Sequence, residues 1–385
     1  MTRSALTAAV PWDSRVGPTR RGWSFSPPAC TASCFPPNIA LKNLPTSHGR
    51  LEAASSPPAR VSNEDMEKTK KDKLLSFAVD LGRDTWRTSW ELIRLIVPVA
   101  IATKILEELG LISVFSVILE PVMGLIGLPG ELGLVWMTAM LTSLYGGIAV
   151  FAALLPGLSL TAAQVTVLCS VMLIAHALPI ELSISKRAGA ELLPIAFLRL
   201  LGAIIYGFLL NRLCLFFSWW QEPATLLFKA ESRSGDLLSW GLDQLQNLFF
   251  IVVVIFFIIV AMRILRLIGL LALLERLLAP VLPPFGMSSR AAPLTVVGMV
   301  MGLAYGGALI TRETASGKLE RQEVFNSMAL MGLCHGLVED TLIMAAIGGK
   351  LGGIFWGRIA FSLIVIYLLV RATRFVAARR VQQPS

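Results

Sequence analysis

Tyr145-Gly146-Gly147 followed by His176-Ala177-Leu178-Pro179-Ile180-Glu181 returns later as Tyr305-Gly306-Gly307 followed by His335-Gly336-Leu337-Val338-Glu339-Asp340. Both copies lie in apolar sequence. An internal duplication produces matches at one constant offset, whereas chance does not. Adding 159 carries Lys104 to Arg263, Pro121 to Pro280, Gly127 to Gly286, His176 to His335, Glu181 to Asp340, Gly189 to Gly348, Arg199 to Arg358 and Arg212 to Arg371. The Tyr-Gly-Gly triplets alone need 160. Basic, acidic, histidine, proline and glycine positions fall in one register, so the sequence predicts two tandem copies of one hydrophobic unit.

Hydrophobic residues make up 55% of the chain and charged residues 15%, with a mean hydropathy of +0.69. Soluble domains carry about a quarter charged residues, so these values specify an all-α polytopic membrane protein. The net charge of +9 reads as basic loops beside membrane spans, and a nucleic-acid partner is not expected. Of Cys30, Cys34, Cys169, Cys214 and Cys334, only Cys30-x3-Cys34 in the Pro/Ser-rich N-terminal stretch has a paired metal spacing, and the odd, scattered set reads as packing residues rather than a disulfide framework.

Residues 1–65 are rich in Pro, Ser, Thr and Arg without periodicity, which predicts disorder, with translation starting at Met66 as the simplest account. A lysine-rich entry at 66–73 leads into an amphipathic interfacial helix to residue 91, with Trp86 and Trp90 at headgroup depth. Apolar segments follow at 92–118, 132–155, 163–180, 190–217, 244–272, 291–312, 326–347 and 354–371, each near the length of a span. Prolines with a nearby glycine at Pro121 to Pro129 and Pro280 to Pro284 predict broken or re-entrant elements. The linker 218–243 carries four acids against Lys229 and Arg233, whereas the tail 373–385 is basic. An external linker between internal ends makes repeats 92–217 and 244–372 inverted relative to one another.

Ionisable side chains inside a span cost several kcal/mol unless they face protein or water. His176 with Glu181, and His335 with Glu339 and Asp340, are therefore the candidate solute-binding residues. His335 and Glu339 are four apart and share a helical face. His176 and Glu181 are five apart and converge only across a distortion, which Pro179 supplies by freeing the Ala175 carbonyl. Tyr145, Gly146, Gly147, Tyr305, Gly306 and Gly307 are candidates for the walls of the same pocket. The repeated basic residues read mainly as headgroup anchors, with Arg199 and Arg358 the best placed of them to reach a solute. Without a thiolate motif, no metal site and no cofactor are expected. The chain lacks H-E-x-x-H, G-x-S-x-G and phosphate-binding glycine motifs, which argues against an enzyme.

Two hydrophobic repeats with a Pro-x5-Gly break, a glycine-rich middle segment and a His/acid-bearing third segment resemble the nucleoside recognition, or Gate, domain. That domain is shared by spore maturation membrane proteins, concentrative nucleoside transporters and the pore region of ferrous-iron permeases. The resemblance spans residues 92–372 and implies a multi-pass protein of the bacterial inner membrane with a solute-pathway architecture; together with the His/acid residues, it predicts a secondary transporter or permease of a small polar solute, nucleoside-like being one reading. The iron permeases carry a Gly-Cys-x-x-Pro element where this chain has Gly146-Gly147-Ile148-Ala149 and Gly306-Gly307-Ala308-Leu309, so iron is not the implied cargo. The spore maturation proteins imply an alternative, a non-transporting scaffold for spore or envelope assembly. Expected partners are membrane lipids, a small polar solute, and a second copy or another membrane protein.

Overall fold

A computed structural model describes residues 79–381, apart from scattered positions between 80 and 107 and the stretches 156–157 and 226–236. The expectations for residues 1–65, the lysine-rich entry and the middle of the linker lie outside the described residues. Four helical stretches among the described residues are long and apolar enough to cross a membrane: Ala162–Arg187, Leu192–Phe216, Arg321–Ala346 and Gly352–Phe375. The chain is a helical membrane protein.

The described residues between 82 and 108 are helical, so helix continues past the expected end at residue 91. Trp86 and Trp90 stack with centroids 6.2 Å apart, both exposed. Gly110, at φ 67°, then turns the chain into α1, Leu111–Leu125, so the apolar run expected at 92–118 is not one uninterrupted span.

Helix α1 passes through Pro121 unbroken and ends before Gly127, at φ 76°. The later prolines form two short 3-10 turns, Ala279–Val281 and Pro283–Phe285, which end on Gly286 at φ 74°. These positions make turns between helices, so the helical path is broken there. Hairpins of two short helices occur in the apolar runs at 132–155 and 291–312, which were expected to be single spans.

Each of those runs folds back on itself. Helices α2 (Leu132–Leu141) and α3 (Leu144–Leu154) hold 10 and 11 residues. At 1.5 Å per residue each is about 15 Å long, roughly half the hydrocarbon thickness. Their antiparallel packing shows at Gly147, where a Cβ would sit 2.7 Å from that of Ala139 and 3.1 Å from the Val135 carbonyl. In one continuous helix those residues would be far apart. Ser143 makes the turn, accepting the Gly146 N–H at 3.3 Å as the cap of α3.

After α4 (Ala162–Ile174), α5 (Leu178–Arg187) and α6 (Leu192–Phe216) come the long α7 (Leu237–Leu267) and short α8 (Leu270–Leu278). A second hairpin joins α9 (Ala291–Met301) to α10 (Leu303–Ala315) through Gly302, at φ 102°. A Cβ on Gly306 would collide with the Gly298 backbone. Helices α11 (Arg321–Cys334) and α12 (Glu339–Ala346), a π-helical turn at Gly352–Gly357 and α13 (Arg358–Val381) complete the fold.

The buried interior is formed by α4, α11 and the residues that directly follow them, and from Val165 to Ala175 and from Asn326 to Leu337 almost all residues are inaccessible. Helix α4 packs on α6, and α11 packs on both α6 and α13. Each of these central helices opens with a capping box, Thr161 with Gln164 and Glu320 with Glu323. At the far end each stops inside the protein, and those two interruptions make the site.

Candidate functional site

Helix α4 ends at Ile174 and α5 starts at Leu178; α11 ends at Cys334 and α12 starts at Glu339. The histidine sits inside each gap and is followed by a left-handed residue, Ala177 at φ 45° and Gly336 at φ 57°. The hairpins clamp both gaps in the same way. The Ala177 N–H donates to the Ala139 carbonyl of α2, and the Leu337 N–H to the Met299 carbonyl of α9, each at 2.9 Å. Beyond each gap a new helix presents its N-terminus, with Glu181 in the first turn of α5 and Glu339 and Asp340 in the first turn of α12. The positive end of the dipole favours carboxylates there.

Pro179 lies in that first turn, where the missing N–H leaves no helical bond unmade, so it starts α5 rather than bending a longer helix. The freed carbonyls in use belong to Ile174 and His176, where the sequence pointed to Ala175. Arg199 of α6 donates to both, from Nε at 2.9 Å and from Nη2 at 3.0 Å. Its Nη1 pairs with Glu181 Oε2.

The two histidines face one another. His176 Nδ1 lies 2.9 Å from the Met172 carbonyl and His335 Nδ1 2.8 Å from the Met331 carbonyl. Their Nε2 atoms are 3.2 Å apart, and Glu181 Oε1 is 3.0 Å from His335 Nε2 and 3.2 Å from His176 Nε2. An Asp340 carboxylate oxygen lies within 4.8 Å of both imidazoles. His335 is extended and precedes α12, so it and Glu339 do not share one helix face. Its carboxylate partner is Glu181, from the other half of the chain.

His176, Glu181, Tyr305, His335, Glu339 and Asp340 line a cavity of about 270 Å³ between the two gaps. Both histidines and Glu181 are buried, whereas Tyr305 is 63% exposed at its edge. The remaining wall candidates stand behind this cavity. Gly146 packs against Thr142, Gly147 against Ala139 and Met172, Gly306 against Gly298, and Gly307 against Ile184 of α5. Their lack of a side chain lets helices approach closely. Tyr145 is half-buried, within electrostatic reach of Glu339 and Asp340.

Arg199 and Arg358 do not snorkel. Both are fully buried, at 1% and 0% exposure. Their surroundings differ, because Arg358 makes one hydrogen bond, Nη2 to Thr341 Oγ1 at 3.2 Å. Its Nε and Nη1 find no hydrogen-bond partner among the described residues. The other repeated cations stay near the surface, Lys104 paired with Glu108 at 2.9 Å and Arg212 and Arg371 over the rings of Phe208 and Tyr367. Sequence reasoning gave Arg199 only a minor role and missed Gly336, against which the Asp340 carboxylate rests. The signal for Arg199 was its apolar flanks on both sides.

The chain is 26% identical over 275 residues to the uncharacterized membrane protein YvoD of Bacillus subtilis (strain 168), covering 68% of this chain and 84% of that protein. No family model matches the chain, and no solved structure matches it. The likeness to YvoD, together with the four apolar helices, supports a membrane protein.

Proposed function

We propose that this chain is a secondary permease of a small polar solute in the bacterial inner membrane, built from two Gate-like units of opposite orientation. One observation carries the reading: buried His176 and Glu181 from one half meet buried His335 and the half-buried Asp340 from the other beside one cavity, at the ends of interrupted helices. Transporters place solutes where half-helix ends and unwound backbone supply fixed dipoles near mid-membrane. The equivalent gaps, left-handed residues and hairpin clamps support tandem units. The cavity of about 270 Å³ suits a solute smaller than drug-sized ligands, whose pockets start near 300 Å³.

The test is flux into liposomes holding the purified full chain, screened against nucleosides, organic acids and divalent metal ions. The wild type moves one of these classes. The doubly substituted His335→Ala, Asp340→Ala protein, reconstituted to the same density, moves none. Wild-type flux from the double variant, or no flux above empty liposomes from the unmodified chain, refutes the permease.

A further inference from the structure

The orientation of the two imidazoles constrains what lies between them. A carbonyl oxygen can only accept, so the short Nδ1 contacts to Met172 and Met331 place a hydrogen on each Nδ1. In the neutral ring that leaves a lone pair on Nε2. Both Nε2 atoms point at one another at 3.2 Å and at Glu181 Oε1 at 3.2 and 3.0 Å. With both rings neutral, three electron-rich atoms converge in a buried site with no hydrogen between them. Such a triangle needs a positive species inside it, a proton on one imidazole or a metal ion.

The spacing identifies the kind of cation. With edges of 3.0, 3.2 and 3.2 Å, a point about 1 Å above the triangle is about 2.1 Å from all three atoms, the ordinary zinc bond length to nitrogen and carboxylate oxygen. Calcium prefers bonds of 2.3 to 2.6 Å to six or more oxygens, and magnesium keeps an octahedral oxygen shell. Imidazoles favour the late first-row metals. The Asp340 carboxylate, within 4.8 Å of both imidazoles, stands ready as a fourth ligand after a short side-chain movement.

The surrounding shell matches as well. Metal-binding histidines almost always give their second N–H to a carbonyl or carboxylate, and metal-binding carboxylates are themselves hydrogen-bonded. Here both histidines meet backbone carbonyls, and Arg199 holds the other oxygen of Glu181. With one guanidinium beside two carboxylates, a dication is electrostatically welcome. We propose that His176, His335, Glu181 and Asp340 form a binding site for a first-row transition-metal dication of the zinc or cobalt type. This inference rests on the permease reading of the cluster and names the solute class or coupling ion that the cluster holds. It also sets aside the expectation from sequence that no metal binds, which relied on missing thiolates.

The test uses tag-free, full-length protein in detergent, stripped of metal and titrated with Co²⁺. The expected result is one Co²⁺ per chain, with the strong visible bands of four-coordinate cobalt, displaced by an equivalent of Zn²⁺. His176→Gln and His335→Gln each weaken binding at least about a hundredfold, beyond the loss typical of disturbing an outer shell. Asp340→Asn, which keeps the side-chain volume, retains a changed spectrum or weaker binding, and size-exclusion profiles confirm that the variants are folded. If the monodisperse wild type binds no stoichiometric Co²⁺, or the two histidine variants bind as it does, the site is overturned. In that case a shared proton fills the triangle. Metal binding without liposome flux refutes the permease alone, whereas organic-solute flux by protein that binds no Co²⁺ refutes the metal site alone.

Discussion

Arg199 and Arg358 occupy matching places in the two halves and are equally buried, yet replacing each by methionine should have very different consequences. Arg199→Met removes two hydrogen bonds to backbone carbonyls and the partner of Glu181. Breaking a buried ion pair by deleting one side costs about 3–5 kcal/mol, because the remaining charge is left uncompensated. Arg358→Met loses one hydrogen bond at 3.2 Å, to Thr341, and removes a guanidinium whose Nε and Nη1 lack hydrogen-bond partners among the described residues. The lost bond is worth about 1 kcal/mol, and the relief of an under-satisfied buried charge offsets it. At about 2–3 °C per kcal/mol for a chain of this size, Arg199→Met should lower the apparent melting temperature by roughly 6–15 °C. Arg358→Met should shift it by less than about 3 °C in either direction. Thermal melts in one detergent at one heating rate, followed by tryptophan fluorescence, compare the two directly. Equal losses, or a larger loss at Arg358, would refute the difference in partnering between the two guanidinium groups.

Further substitutions probe the helix gaps. Ala177, at φ 45°, pays the left-handed penalty of about 1–2 kcal/mol that glycine avoids, so Ala177→Gly should stabilise by about 0.5–1 kcal/mol once the extra chain entropy of glycine is subtracted. Gly336→Ala should do the opposite, costing about 1–3 kcal/mol, because its Cβ also strikes the Asp340 carboxylate; melting curves of both variants check the signs. Gly306→Ala drives a methyl into the Gly298 backbone, and its expected result is a fall in yield of monodisperse protein, read by size exclusion.

The duplicated His/acid residues were legible because charge in an apolar run is expensive, and the structure brings both histidines together with Glu181. The partners within that set were not legible. The spacing of His335 and Glu339 suggested one helical face, but the helix had not yet restarted at His335. The contact His335 makes with Glu181 spans 154 residues, which no local period can encode. The hairpins were misread for a related reason, since the run at 132–155 is long and apolar enough for a span. Its only marks of reversal are Thr142 and Ser143, a helix-capping signal inside hydrophobic sequence. Arg199 sits 18 positions beyond Glu181 in a different helix, so its role waited on the packing of α6.

Each imidazole grips the carbonyl four residues before it, which welds the ring to the final turn of its own helix. Fraying of either helix tip therefore swings a ring out of the triangle, and a bridging ion would hold both tips wound. Order at one chain interruption is coupled to order at the other through whatever lies between the rings, and the two halves meet there as a single thermodynamic joint.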